Sequence, residues 1–207
     1  MPVKVNEREY RRIDIRNMEA RTAEDGEKIV EGYATTFNQP YKLIEDREFV
    51  LNEQVDRNAF AETDLSDVIM QYDHEGRVFA RKSNGTLQLE TDDHGLKIRA
   101  DLGGTEIGRQ LYEEIKGGYT TKMSFGFTVS KQERTEEEAE GKTIIHRKIT
   151  GIKKLYDVSA VSLPANDATE ITSRNLGEGL IAEVKQEKLA REARERQKTK
   201  IRMLMEV

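Results

Sequence analysis

The stretch KMSFGF, Lys122 to Phe127, alternates large apolar side chains with small ones. A period of two is the mark of a strand, with Met123, Phe125 and Phe127 on one face and Ser124 and Gly126 on the other. A second such run, LYDVSAVSL, sets Leu155, Asp157, Ser159, Val161 and Leu163 on one face. Aspartate is disfavoured inside a strand. On a solvated sheet edge Asp157 would need no partner; on a buried face it must be hydrogen-bonded or paired. The two strands therefore demand a sheet protein and raise the same question, what a serine and an aspartate are doing in them.

The rest of the chain supports a β-rich body. EKIVEGYATTF, from Glu27, reads as a strand ending in a turn at Asn38-Gln39-Pro40. DRNAFAE, from Asp56, reads as helical turns with Asp56 as cap. DVIMQYD reads as a short buried strand running into His74. Ser83-Asn84-Gly85 predicts a tight hairpin between RVFARK and TLQLETD, and Asp93-His94-Gly95 a second between TLQLETD and LKIRADL. TEIGRQLYEEIKGG predicts a helix whose face carries Ile107, Leu111 and Ile115, closed by Gly117-Gly118. The acidic RTEEEAEGK insert predicts a hairpin tip, and Pro164 the end of the last strand. Asn166 to Gly179 reads as a polar linker. The charged stretch beyond it reads as a helix with too few apolar residues to join the core. The expected division is an N-terminal arm over 1–24, a body over 25–171, and a linker with helical tail over 172–207.

Composition narrows the chemistry. The 207 residues contain no cysteine, which removes disulfides, thiol catalysis and thiolate metal sites and suits a reducing compartment. A net charge of −5 gives no global attraction for nucleic acid. No apolar run is long enough to span a bilayer, and the first residues lack a signal-peptide pattern. The expectation is a soluble intracellular protein with no cofactor and no metal.

Only three histidines are present. His94 lies in a turn and His146 follows the strand residues TII. His74 ends a buried strand between Asp73 and Glu75, where scaffolds present catalytic groups. A serine hydroxyl attacks a carbonyl only when a base takes its proton, and a histidine base works better when a carboxylate fixes its tautomer. Ser124, His74 and Asp157 are those three types on three strands.

Five blocks follow one another in an order that resembles the capsid-maturation (prohead) serine protease family of tailed phages. They are EGYATTFNQPY, DRNAF, YDHEGRVFARKSNGTLQLETDDHGLKIRADL, GRQLYEEIKGGYTTKMSFGF and LYDVSAVSLPAND, within residues 28–171. The family is related in fold to the herpesvirus protease assemblin. The resemblance implies an α+β, mainly β fold: a closed or partly closed antiparallel barrel with flanking helices and a C-terminal helical tail. It implies a serine endopeptidase, with Ser124 as nucleophile, His74 as base and Asp157 as third member. His146 competes for that last place, because the herpesvirus relatives use a second histidine there. The family often has asparagine before its histidine and aspartate after it; Asp73 and Glu75 depart from that and leave open what fixes the ring. The oxyanion donors stay unassigned among backbone amides near Gly126, Arg77 and Arg81. Scaffold and capsid-protein segments are the implied substrates, inside the assembling prohead in the host cytoplasm. Self-association and self-processing, including loss of the tail, are implied too. No nucleic acid or membrane partner is expected.

Overall fold

The computed structural model describes residues 8–13, 19–22, 27–161 and 167–205. In chain order the elements are β1 (Glu9–Ile13), β2 (Glu19–Thr22), β3 (Lys28–Thr36), β4 (Tyr41–Glu45), β5 (Phe49–Val55), β6 (Ile69–Tyr72) and β7 (Glu75–Arg81). A 3-10 turn (Lys82–Asn84), β8 (Leu87–Thr91), β9 (Gly95–Asp101), α1 (Glu106–Lys116), β10 (Lys122–Ala139), β11 (Lys142–Val161) and α2 (Asp167–Met205) follow. The described chain is thus mainly β with two α-helices. None of its helices is long and apolar enough to cross a membrane.

The strands pair into two sheets. A seven-stranded sheet runs β1-β10-β11-β5-β4, with β6 and β7 also attached beside β11; a four-stranded sheet runs β2-β3-β9-β8. The main core draws Val30 and Ile98 from the smaller sheet, Phe125 and Val158 from the larger and Leu111 and Ile115 from α1. α1 begins at Thr105, whose side chain accepts a hydrogen bond from the Gly108 amide, and stops at Gly117, as the sequence predicts.

The long β10–β11 ribbon is the spine. Its acidic far end does not loop out: Glu136 to Glu138 stay in register with Ile145 to Thr143, and only Glu140 and Gly141, both at positive φ, make the turn. On the other side of β11 lie β5, opposite Thr143–Ile149, and β6, opposite Asp157–Ala160. Both run parallel to it, which corrects the expected all-antiparallel sheet. The reason lies in the β5–β6 connection. Asp56 accepts from the Asn58 amide at 2.8 Å and Asp64 from the Ser66 amide at 2.9 Å, so the chain turns locally. Meanwhile Ile152 N donates to Ala59 O at 2.8 Å and Leu155 N to Asp64 O at 3.2 Å, so the connection tracks β11 forward without reversing.

Three other expectations are corrected. The Asn84-Gly85 turn does not close a hairpin. β7 pairs with β6 and β8 with β9, so this turn carries the chain from one sheet to the other, with Gly85 at φ 81°. The Leu155-to-Leu163 alternation is broken by a bulge: Gly126 faces Asp157 but Phe127 faces Leu155, leaving Tyr156 as the extra residue. Leu155 consequently joins the core while Asp157 points to the other face. Leu163 and Pro164 lie outside the described residues. Finally, the stretch read as a linker is helical from Asp167, and the tail does pack. Leu180, Ile181 and Val184 share a cluster with Phe49, Leu51 and Ile145. Few apolar residues suffice because they fall on one helical face. Gly177 comes so near that a Cβ there would sit 2.0 Å from Ile44 Cδ1.

This docking predicts that Leu180→Ala weakens attachment of α2 by about 2–5 kcal/mol. Trypsin should then cut near Lys185 and Lys188 faster than in the wild type while the β10–β11 ribbon keeps its amide protection. Unchanged cutting would mean that this cluster does not hold the helix.

Candidate active site

Ser124 and Ser159 are cross-strand partners, as are Gly126 and Asp157, so all four lie on one face of the β10–β11 pair. β6 delivers the histidine from the far side of β11. Its last residue, Tyr72, lies opposite Ala160, and Tyr72 also pairs with Glu75 of β7. Asp73 and His74 alone make that turn, at φ 49° and 62°. Two successive positive φ values give the primed turn that suits a tight hairpin, a place that favours glycine or asparagine. Aspartate is also accepted in such turns, whereas His74 holds its place at a cost of order 1–3 kcal/mol, sustained when the surroundings fix it.

Two ring bonds do the fixing. His74 Nδ1 lies 2.6 Å from Asp157 Oδ1, and His74 Nε2 lies 2.6 Å from Ser124 Oγ. The Ser159 hydroxyl donates to the same Asp157 oxygen at 2.7 Å. Asp157 Oδ2 takes the Arg8 guanidinium, and the Tyr10 ring lies 4.4 Å from the imidazole at 59°. Ser124 and Asp157 are 0% exposed. Burial alone pushes the Asp157 carboxyl up, but the bond and charge of His74, the Ser159 hydroxyl and Arg8 outweigh it and hold the group below its ordinary range. The carboxylate is therefore an acceptor. An Nδ1–H tautomer satisfies it and leaves the Nε2 lone pair facing the serine hydroxyl.

The glycine beside the serine now has its reason. A Cβ at Gly126 would lie 2.4 Å from Asp157 Oδ2 and 2.8 Å from Tyr10 Cε1. Gly126 is the floor on which the carboxylate and the tyrosine rest.

The structure brings Ser124, His74 and Asp157 together and keeps the other histidines apart. His146 lies far along the ribbon, opposite Thr135, with Nε2 3.2 Å from Glu137 Oε1 and its side chain 42% exposed. His94 sits in the β8–β9 turn against Tyr33, ring centroids 4.5 Å apart. Arg81 pairs with Asp67 at 3.2 Å. Arg77 lines an open groove of about 530 Å³ between the His74 turn and α1, with Tyr72, Glu75 and Leu111.

Sequence reasoning missed the N-terminal segment, which it placed outside the body. β1 is a strand of the larger sheet, antiparallel to β10, with Tyr10 opposite Gly126 and Arg11 opposite Phe125. Its five residues EYRRI show no apolar alternation. What holds them is charge: Arg11 bonds to both Glu53 and Glu9, and Arg147 bonds to the same two acids. The Tyr41 hydroxyl donates to Glu53 as well. Two cations and two anions balance in a buried network. Burial raises the Glu53 carboxyl, yet Arg11 and Arg147 bring it down from an ordinary 4.5 to about 2. Ser159 was legible, two residues beyond Asp157 on a shared face; Arg8, Tyr10 and Arg11 carried no comparable signal.

An aligned hydroxyl, imidazole and carboxylate is the arrangement of serine hydrolases. The model of the Caudovirus prohead serine protease family matches residues 13–187, and the chain belongs to that family of serine proteases. Among solved structures, the bacteriophage T4 capsid assembly protease, gp21, is similar over 75% of this chain and 99% of its own, at 14% identity and a TM-score of 0.41. No curated protein matches the sequence.

The Glu53 network predicts an acid-dependent stability. A carboxyl whose folded pKa is depressed stabilises the fold above its unfolded value and loses that contribution as pH falls, here between about 4.5 and about 2. Urea unfolding of the wild type should weaken across that window. Glu53→Gln should lose about 3–5 kcal/mol at neutral pH and show a flatter acid limb. Parallel acid limbs in the two proteins would contradict the assignment.

Proposed function

We propose that Ser124 is the nucleophile of this protease, His74 its general base and Asp157 the group that orients the imidazole. The observation that carries the reading is the unbroken line from Asp157 Oδ1 through both ring nitrogens to Ser124 Oγ, each link 2.6 Å. As the hydroxyl attacks a peptide carbonyl, its proton passes to His74 Nε2 and the carbonyl becomes an oxyanion. Asp157 stabilises the imidazolium that forms. Collapse of the tetrahedral intermediate breaks the C–N bond, and Nε2 gives the proton to the leaving amine. Water then repeats the sequence on the acyl-enzyme, releasing the acid and restoring the serine.

The substrates on this reading are scaffold segments and the N-terminal part of the capsid protein inside the immature shell, together with the chain itself. Family membership supports this, since a protease confined in a prohead meets those chains at high local concentration. Cleavage would make maturation irreversible. Self-association, and self-removal of the tail over 172–207, belong to the same reading. So does an assemblin-like, partly closed barrel: the Phe37–Val55 bridge joins the end of β3 in one sheet to β5 in the other.

Intact mass spectrometry of the expressed chain, with trimming of the capsid protein during assembly, tests the roles. Ser124→Ala should abolish both. Asp157→Asn should slow them by about 10⁴-fold, from the wrong tautomer, and His146→Ala should leave them unchanged. Continued processing by Ser124→Ala, or loss in His146→Ala with activity kept in Asp157→Asn, would overturn the assignment.

A further inference from the structure

Asp157 Oδ1 accepts two hydrogen bonds, and only one of them comes from the histidine. His74 Nδ1 lies 2.6 Å away and the Ser159 hydroxyl 2.7 Å. A carboxylate oxygen has two lone pairs, so it can serve both donors at once. Ser159 is 0% exposed, like Ser124 and Asp157. Past the Tyr156 bulge, Asp157 and Ser159 are alternate residues of β11, opposite Gly126 and Ser124 of β10. Two buried serines therefore face each other across the ladder, and their hydroxyls have different partners. Ser124 Oγ lies 2.6 Å from the ring nitrogen Nε2, whereas Ser159 Oγ makes its one hydrogen bond among the described residues to the carboxylate. A carboxylate held below its ordinary range is a poor base for a serine proton. Ser159 is thus badly placed to be a second nucleophile and well placed to act on the carboxylate.

We propose that Ser159 is a positioning residue of the catalytic line: it fixes the Asp157 oxygen that faces His74 and takes up part of the charge which that oxygen presents to the ring. The inference rests on Ser124 being the nucleophile and His74 its base. A base must be neutral to take the serine proton. With the ring as the only donor on Oδ1, a buried carboxylate would favour the imidazolium strongly, and a ring that is cationic at rest cannot act. A second donor on the same oxygen stabilises the carboxylate independently and so reduces what the ring gains by charging. Orientation has the same source. Arg8 holds the other oxygen, but its side chain is 36% exposed, whereas Ser159 is enclosed and lies two residues along the same strand as Asp157. The hydroxyl is the steadier of these two holds on the carboxylate plane. The remaining charged and titratable groups about the ring are Tyr10, whose ring lies against it, Glu75, whose charge bears on the Tyr10 hydroxyl, and Asp73, the preceding residue. A substitution at Ser159 leaves all of these in place, so its effect on the ring passes through Asp157.

The test uses the full chain, nitrogen-15 labelled in its histidines, as wild type and as Ser159→Ala, Ser159→Cys and Ser159→Thr. The ring nitrogen signals are followed against pH. In Ser159→Ala the His74 ring should take its second proton at a pH higher than in the wild type by about half a unit to one unit. Ser159→Cys keeps a side chain of similar size with only a weak donor, and should move the ring in the same direction; it carries the test if the alanine variant does not fold. Ser159→Thr keeps the hydroxyl and should return the ring toward wild-type behaviour. His94 and His146 report in the same spectra and should not move. The acid limb of processing, read by intact mass spectrometry, should shift with the ring, because only the neutral base is active. A His74 ring that titrates at the same or a lower pH in the alanine and cysteine variants, with Ser124→Ala inactive, would overturn the inference alone. Continued processing by Ser124→Ala would overturn the catalytic assignment and the inference with it.

Discussion

A carboxylate shut away from water has to be paired, and the pairing of Asp157 organises everything around it. The bulge at Tyr156 turns this side chain away from the core that Leu155 enters. Gly126 leaves the space it occupies. Ser159 and His74 share one of its oxygens and Arg8 takes the other. The left-handed turn at Asp73-His74 is tolerable because the ring it presents is bonded at both nitrogens. Hydrogen bonds to a buried ion are among the stronger ones a fold can make, and here they tie β6, β10 and β11 together at the proposed catalytic site.

Much of this was legible. Period-two alternation placed Ser124 opposite the large residues of its strand, and an aspartate inside a strand announced a partner. The histidine was marked by its position at a strand end. The α1 boundaries followed from Thr105 and Gly117, whose local chemistry acts regardless of the fold around it. What was not legible depended on which strands become neighbours. The parallel placement of β5 and β6 along β11 is set by a connection that turns without reversing, and no single residue encodes it. The Asn84-Gly85 turn has hairpin chemistry yet joins two sheets, because its flanking strands find better partners elsewhere. A bulge, likewise, is a property of a pair and invisible in either strand alone.

The two ends of the chain make the same point in opposite ways. A charged N-terminal segment looked like an arm and is a sheet strand, because Glu9 and Arg11 find Glu53 and Arg147 inside. A charged C-terminal segment looked free and is docked, because three apolar residues in one helical turn meet the apolar face of β5 and β11. Composition averages over a segment, whereas docking depends on a few positions on one face. The first of these touches the candidate site, since the segment that composition dismissed lies against Ser124.

The account stands on the His74 ring being clamped between Asp157 and Ser124. Nitrogen-15 NMR of the histidine-labelled chain tests this most directly. It should find the neutral His74 ring protonated at Nδ1, with that proton slow to exchange and its signal displaced when Asp157 is changed. A neutral ring protonated at Nε2, or an Nδ1 proton exchanging as fast as that of exposed His146, would contradict it.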